Sequence, residues 1–358
     1  MSLPELVELL GAPLERGANH GKQMKDQIHA CYQSLRDAVL LQPAAQRRGV
    51  KSEADLLAFC ERYKAPSKAY NSDLFEEMEG IAEGADIALD KVMVLNLNLE
   101  LIDLTNAKAP DPPTEVEGGC TTLGVELPHG RGCIVAQTYD LQVFYEDAAI
   151  RFRSKTANGQ VDGLSFAGTL AANGMNSSGF AIVINKLYGA DSRVGVPYTF
   201  VVRAALEEAT PGRSISKILG ADRACSLHYL CADNAGILYP METTATRWDM
   251  LDFEGGSYVH TNHFQAQRFR DCETRDFREA NSHTIIRYQR AKQLIKRIGT
   301  QGSNTDYANL LCDEHNAPLA IHSVNDGMVR TSTVSKSLFN TATGEMLFAV
   351  GTTTLENP

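Results

Sequence analysis

The feature that most constrains this chain is a change of pattern at one place. Between Asn106 and Gly119 the sequence carries Pro110, Pro112 and Pro113 among acidic residues and closes on Gly118 and Gly119. Proline fixes φ and lacks the amide hydrogen that a helix interior needs, so no helix runs through this stretch, which reads as an exposed loop. Before it, Met24, Ile28, Cys31, Leu35 and Val39 recur at spacings of three and four, the apolar face of a helix predicted over 20–41. Ser52 with Asp55, and Asp73 with Glu76, resemble capping boxes that open two further helices. After the loop the period falls to two. Segments 120–127 and 133–139 flank Pro128-His129-Gly130-Arg131, the signal of a hairpin, and sheet is predicted to begin at Cys120. Further strands are predicted over 164–170, 180–185, 227–232, 237–243, 258–261, 329–339 and 345–350, with helices over 198–208, 285–298 and 306–313. Helices mixed with hairpin-linked strands indicate an α+β or layered sandwich, and the lack of strict βαβ alternation argues against a doubly wound sheet.

Charge narrows the partners. Forty-four acidic against 34 basic residues give a net charge of −10 with no basic patch, so nucleic acid is not an expected partner. No apolar run is long enough for a membrane span, and Met1-Ser2-Leu3-Pro4-Glu5 carries neither a basic nor an apolar leader, so a cytoplasmic protein is expected. The eight cysteines lack framework spacing and read as reduced, buried thiols. Cys225, His228 and Cys231 invite a metal reading, but strand alternation splits them between faces, and no metal is expected. The acids interleaved with Arg268, Arg270 and Arg278 mark a solvated, salt-bridged segment.

Chemistry concentrates at Gly118-Gly119-Cys120-Thr121-Thr122, where a cysteine opens a strand directly after two glycines and an open loop. Local composition alone favours the plainer reading of a buried cysteine after a turn. Other stretches bear on the choice: Gly17-Ala18-Asn19-His20-Gly21, Glu79 to Ala85, Gln137-Thr138-Tyr139-Asp140, Asn173 to Gly179 and His260-Thr261-Asn262-His263. In this order, and with Gly119-Cys120-Thr121-Thr122, they resemble the isopenicillin N acyltransferase-like (acyl-CoA:6-aminopenicillanic acid acyltransferase) family of autoproteolytic N-terminal-nucleophile cysteine hydrolases. The resemblance runs from about residue 11 to about residue 350.

The resemblance implies a four-layer αββα sandwich and a precursor that cuts itself between Gly119 and Cys120. Residues 1–119 would be a helical smaller chain and 120–358 a β-rich larger one, a heterodimer of fragments forming one domain, with further oligomerisation open. It implies no cofactor and a small-molecule N-acyl amide or acyl-thioester as substrate, whose acyl group passes through a Cys120 thioester to water or an amine. The residue types suit that chemistry. Cutting frees an α-amino group on Cys120 whose ordinary pKa of about 7.7–8.0 lets it serve as base to its own thiol. The Asn262 carboxamide suits an oxyanion; the plain alternative is a turn asparagine. Asp140 suits the new ammonium group, or merely ends a strand. The Thr122 hydroxyl suits the precursor step, or reflects strand propensity. Arg330 resembles the family's late arginine and suits Asp140 or a substrate carboxylate, or is a solvated strand residue. A Cys–His arrangement through His263 competes with the amine as base, and a non-processing binding protein on the same fold competes with the enzyme.

Overall fold

The computed structural model describes residues 3–105, 119–273, 283–325 and 331–356. Two sheets pack against each other. The larger runs, in spatial order, β1 (Glu5–Leu9), β4 (Ala149–Thr156), β5 (Gly159–Phe166), β6 (Asn173–Asn176), β7 (Ala181–Lys186), β8 (Leu227–Ala232), β9 (Leu238–Thr243) and β10 (Trp248–Met250). The smaller runs β11 (Ser257–His260), β2 (Thr121–Glu126), β3 (Cys133–Leu141), β12 (Ser332–Asn340) and β13 (Met346–Val350). All pairings between these strands are antiparallel except β1 with β4, and hairpins such as β2–β3 and β4–β5 are joined by short connections.

Side-chain alternation assigns the layers. On β3, Cys133 and Val135 turn inward to meet Leu164, Met175, Val183 and Leu230 of the larger sheet. Their neighbours Ile134 and Ala136 turn outward against Ala291 and Ile295 of α11 (His283–Ile298) and Leu310 of α12 (Asn304–Leu310). The larger sheet is covered by α1 (Pro13–Gln23), α2 (Lys25–Leu40), α3 (Pro43–Arg47), α4 (Glu53–Glu61), α5 (Lys64–Tyr70), α6 (Ser72–Ala85), α7 (Leu89–Asn96), α8 (Asn98–Thr105), α9 (Tyr198–Leu206) and α10 (Pro211–Gly220). The result is a four-layer αββα sandwich. The glycines of the two motifs 17–21 and 79–85 let α1 and α6 touch backbone to backbone, since a Cβ on Gly17 or Gly80 would collide with a carbonyl of the opposite helix.

Several expectations need correction. The N-terminal part is not all helical: β1 joins the larger sheet beside β4, so sheet begins well before Cys120. The helix predicted over 20–41 is two, broken at Met24, whose φ/ψ of −107°/21° is not helical. Asn71, not Asp73, caps α6, accepting the Leu74 amide at 3.0 Å, whereas Ser52 caps α4 as read. In β6 tertiary pairing overrides the low strand propensity of Asn-Gly-Met-Asn, which the sequence presents as a turn. β4 hides behind Arg151, Arg153 and Lys155, which alternate with inward Ile150 and Phe152.

Candidate active site

The hairpin brings the first pair of groups together. Thr121 pairs with Thr138, so Cys120, one residue earlier, falls across from the end of β3 that carries Asp140. The Asp140 amide bonds the Cys120 sulfur. Both side chains are buried. Burial, and then the Asp140 charge, push the thiol up to about 12, against the opposing pull of the Asp140 amide and the Arg287 guanidinium. Burial likewise raises Asp140 to about 7, against the Arg287 charge and hydrogen bonds from Thr333 and Thr138. The Thr333 hydroxyl donates to Asp140 Oδ1 at 2.8 Å, while Oδ2, equally buried, has no partner among the described residues.

A second pair closes on Gly119 and Cys120. Arg287 lies on α11 in the stripe Thr284, Arg287, Ala291, Ile295 that packs on the smaller sheet. Its Nη1 donates to the Cys120 carbonyl at 2.7 Å and to Thr121 Oγ1 at 3.0 Å, and its Nη2 donates to Asn262 Oδ1 at 2.8 Å. Asn262, just past β11, donates its Nδ2 to the Lys186 carbonyl at 3.0 Å and its backbone amide to Thr284 Oγ1 at 2.8 Å. Nδ2 has two hydrogens, so one remains to donate. Gly119 is seated against this pair: a Cβ there would lie 2.8 Å from Asn262 Cγ and 3.0 Å from Arg287 Nη2. Glycine before the cysteine is thus a steric requirement.

Arg287 escaped the sequence reading, although a signal existed: a charged residue on the buried stripe of an amphipathic helix has to be matched by something inside. The other candidates lie as follows. Thr122 faces the layer between the sheets, where its hydroxyl donates to Asn185 Oδ1 at 2.7 Å. Arg330 lies outside the described residues. His263 Nδ1 stands 3.2 Å from the Thr261 hydroxyl and 3.1 Å from that of Thr284, and its ring meets Tyr288 edge-on. All eight cysteines are free thiols. Cys225 donates to Glu100 and His228 bonds Asn185, so these two do not converge. No described helix is long and apolar enough to cross a membrane. Cys120 belongs to the large apolar core cluster that also holds Tyr139, Leu141, Tyr145 and Phe166.

Comparison with known proteins puts this site in company. Residues 129–354 match the family described as acyl-coenzyme A:6-aminopenicillanic acid acyl-transferase. The 40 kDa form of the acyl-coenzyme A:6-aminopenicillanic-acid acyltransferase of Emericella nidulans is 24% identical over 340 residues, 93% of this chain and 89% of that protein. Protein dcd1A of Dictyostelium discoideum is 22% identical over 261 residues, covering 63% of this chain and 55% of its own length. Among solved structures, penicillin V acylase from Agrobacterium tumefaciens is 12% identical with a TM-score of 0.42, over 65% of this chain and 84% of that one.

Proposed function

Since the chain belongs to the acyl-coenzyme A:6-aminopenicillanic acid acyl-transferase family, we propose that it is an N-terminal-nucleophile cysteine amidase or acyltransferase that activates itself by cutting between Gly119 and Cys120. The observation that carries this reading is the ring of groups around that one bond: the Cys120 thiol, Asp140 with an oxygen that has no partner among the described residues, and the bonded pair Arg287–Asn262 against Gly119.

In the cutting step the Cys120 sulfur attacks the Gly119 carbonyl carbon, the C–N bond to Cys120 breaks, and the nitrogen leaves as a protonated amine. Water then hydrolyses the Gly119 thioester. The resulting α-ammonium group fits Asp140, whose Oδ2 is a buried acceptor with no hydrogen-bond partner among the described residues. In turnover the α-amine takes the proton of its own thiol, the thiolate attacks the substrate carbonyl, and the free hydrogen of Asn262 Nδ2 supports the oxyanion. The leaving group departs with a proton, and water or an amine takes the acyl group from sulfur. Thr122, bonded to Asn185, would act by holding β2 against the larger sheet, and Arg330 would serve a substrate carboxylate. We read the protein as a cytoplasmic heterodimer of its own fragments.

Intact mass spectrometry of purified protein tests this directly. Fragments 1–119 and 120–358 are expected after incubation at neutral pH, and a Cys120→Ala chain is expected to stay whole and folded. A wild-type chain that remains uncut would replace the enzyme with a binding protein on the same fold. Cutting of the Cys120→Ala chain at the same bond would assign the cut to another nucleophile.

A further inference from the structure

Glu242, on β9 of the larger sheet, has no exposed surface, and its carboxylate faces the loop that carries Asn262. Oε1 accepts from His260 Nε2 at 2.7 Å and from the Gln265 amide at 2.6 Å, and Oε2 accepts from the Ala266 amide at 2.9 Å. One carboxylate therefore grips the loop at both ends: at His260, the last residue of β11, and at residues 265–266. Asn262 lies between the two grips. No helix or strand orders residues 261–266, so these bonds do the work that a ladder does elsewhere.

Donor logic shows how the grip is charged. His260 Nδ1 lies 2.6 Å from the Thr261 carbonyl oxygen, which can only accept, so Nδ1 carries a hydrogen. Nε2 faces a carboxylate oxygen, so one more proton sits in that contact, as imidazolium against carboxylate or imidazole against carboxylic acid. His228 stacks on His260 at 3.7 Å and 3° and bonds Asn185 through Nδ1 at 2.9 Å. Burial, and then the neighbouring His260, drive His228 far below its ordinary pKa, so His228 is neutral. A buried carboxylate is costly to desolvate unless strong donors meet it. Here the donors come from the loop of one site residue.

We propose that Glu242 is a positioning residue for acyl transfer: through His260 and the Gln265 and Ala266 amides it sets the backbone from which Asn262 reaches the carbonyl under attack. The proposal rests on the reading of Asn262 as oxyanion donor. Arg287, Thr284 and the Lys186 carbonyl fix the Asn262 side chain and amide; Glu242 fixes the loop that delivers them.

The test uses cut, full-length enzyme and an N-acyl p-nitroanilide that the wild type turns over, with rates normalised to the cut fraction. Glu242→Gln keeps size but turns one acceptor into a donor facing an N–H. It is expected to lower kcat by about 10- to 10²-fold, as an ångström-scale misplacement does, with KM within about twofold. Glu242→Asp should recover part of the loss. Combined with Asn262→Ala, Glu242→Gln should cost nothing further, because both changes act through one group. His260→Gln, which retains one donor toward Glu242, should show a smaller loss with the same silence, and it carries the test if Glu242→Gln fails to fold. Wild-type kcat in Glu242→Gln beside a crippled Asn262→Ala overturns the positioning role alone. So does a loss that adds in full on the Asn262→Ala background. Normal kcat in Asn262→Ala overturns the reading of Asn262 and this proposal with it.

Discussion

Arg203 and Arg287 are both withdrawn from solvent, at 0% and 1% exposure, yet they are buried in opposite ways. Arg203 sits among acids: its Nε donates to Glu207 at 2.8 Å, its Nη1 reaches Glu77 at 3.3 Å, its Nη2 reaches Ser154 at 2.8 Å, and Arg16 shares Glu77 at 2.9 Å. Burial lowers its pKa, but the Glu77 and Glu207 charges more than restore it. Arg287 meets neutral acceptors instead, and no carboxylate lies at ion-pair distance among the described residues. Burial therefore leaves its pKa lowered, with Asp140 and Cys120 only partly compensating. A guanidinium satisfied by carboxylates is a strut that ties α1, α6, α9 and β4 together. One left electrostatically unmatched beside a thiol and a carbonyl holds its positive potential for charge that appears during reaction.

That contrast can be broken by exchanging consequences. Arg203→Met leaves the almost fully buried Glu77 with Arg16 as its only cation among the described residues, and should cost about 3–5 kcal/mol, read as a drop in urea midpoint. Arg287→Met removes an unmatched buried charge, and should hold the urea midpoint to within about 1 kcal/mol while lowering kcat by about 10²- to 10³-fold. If Arg203→Met impairs turnover without unfolding, or Arg287→Met unfolds without impairing the cut enzyme, strut and site have been assigned the wrong way round.

Asp140 sharpens the electrostatic side of the same comparison. In the uncut chain its folded pKa of about 7 lies above its ordinary value, so the folded state prefers the protonated acid. The stability it contributes is complete below about pH 4 and is lost as pH rises toward 7. Urea titrations of Cys120→Ala should show this fall, and Asp140→Asn in that background should flatten it. The second substitution is essential because burial also raises Glu100 to about 7, in the same window. In the cut enzyme Asp140 would favour the α-ammonium form of Cys120, so Asp140→Asn should move the ascending limb of kcat/KM to lower pH. His263→Ala should stay active with that limb in place; a fully cut but inactive His263→Ala enzyme would transfer the role of base to the imidazole. The smallest effect belongs to exposed pairs such as Arg247–Asp271 at 3.3 Å. Asp271→Ala should shift stability by no more than about 0.5 kcal/mol, far below Arg203→Met.

What could be read from residues alone was whatever depends on near neighbours in the chain. The hairpin from Cys120 to Asp140 follows from period-two alternation across a four-residue turn, and it alone brings thiol and carboxylate together. The buried stripe of α2 and the Ser52 cap follow from spacings of three and four. The motifs at 17–21 and 79–85 were visible, but their meaning as a backbone contact between α1 and α6 was not, because glycine spacing does not say which surface approaches. Other features needed the assembled sandwich. β1 becomes a strand only by finding β4, 145 positions away in register from Glu5 to Ile150, and no local pattern records such a partner. Arg287 and Asn262 meet at Gly119 because α11 and the turn after β11 cover the same edge of the smaller sheet, an outcome of sheet order and layer stacking. Glu242 reaches their loop from the other sheet altogether. Periodicity specifies which face a residue takes on its own element, but the free energy that pairs one element with another is non-local, and it was there that the tertiary structure decided which buried charges would be matched and which would be left unmatched beside Cys120.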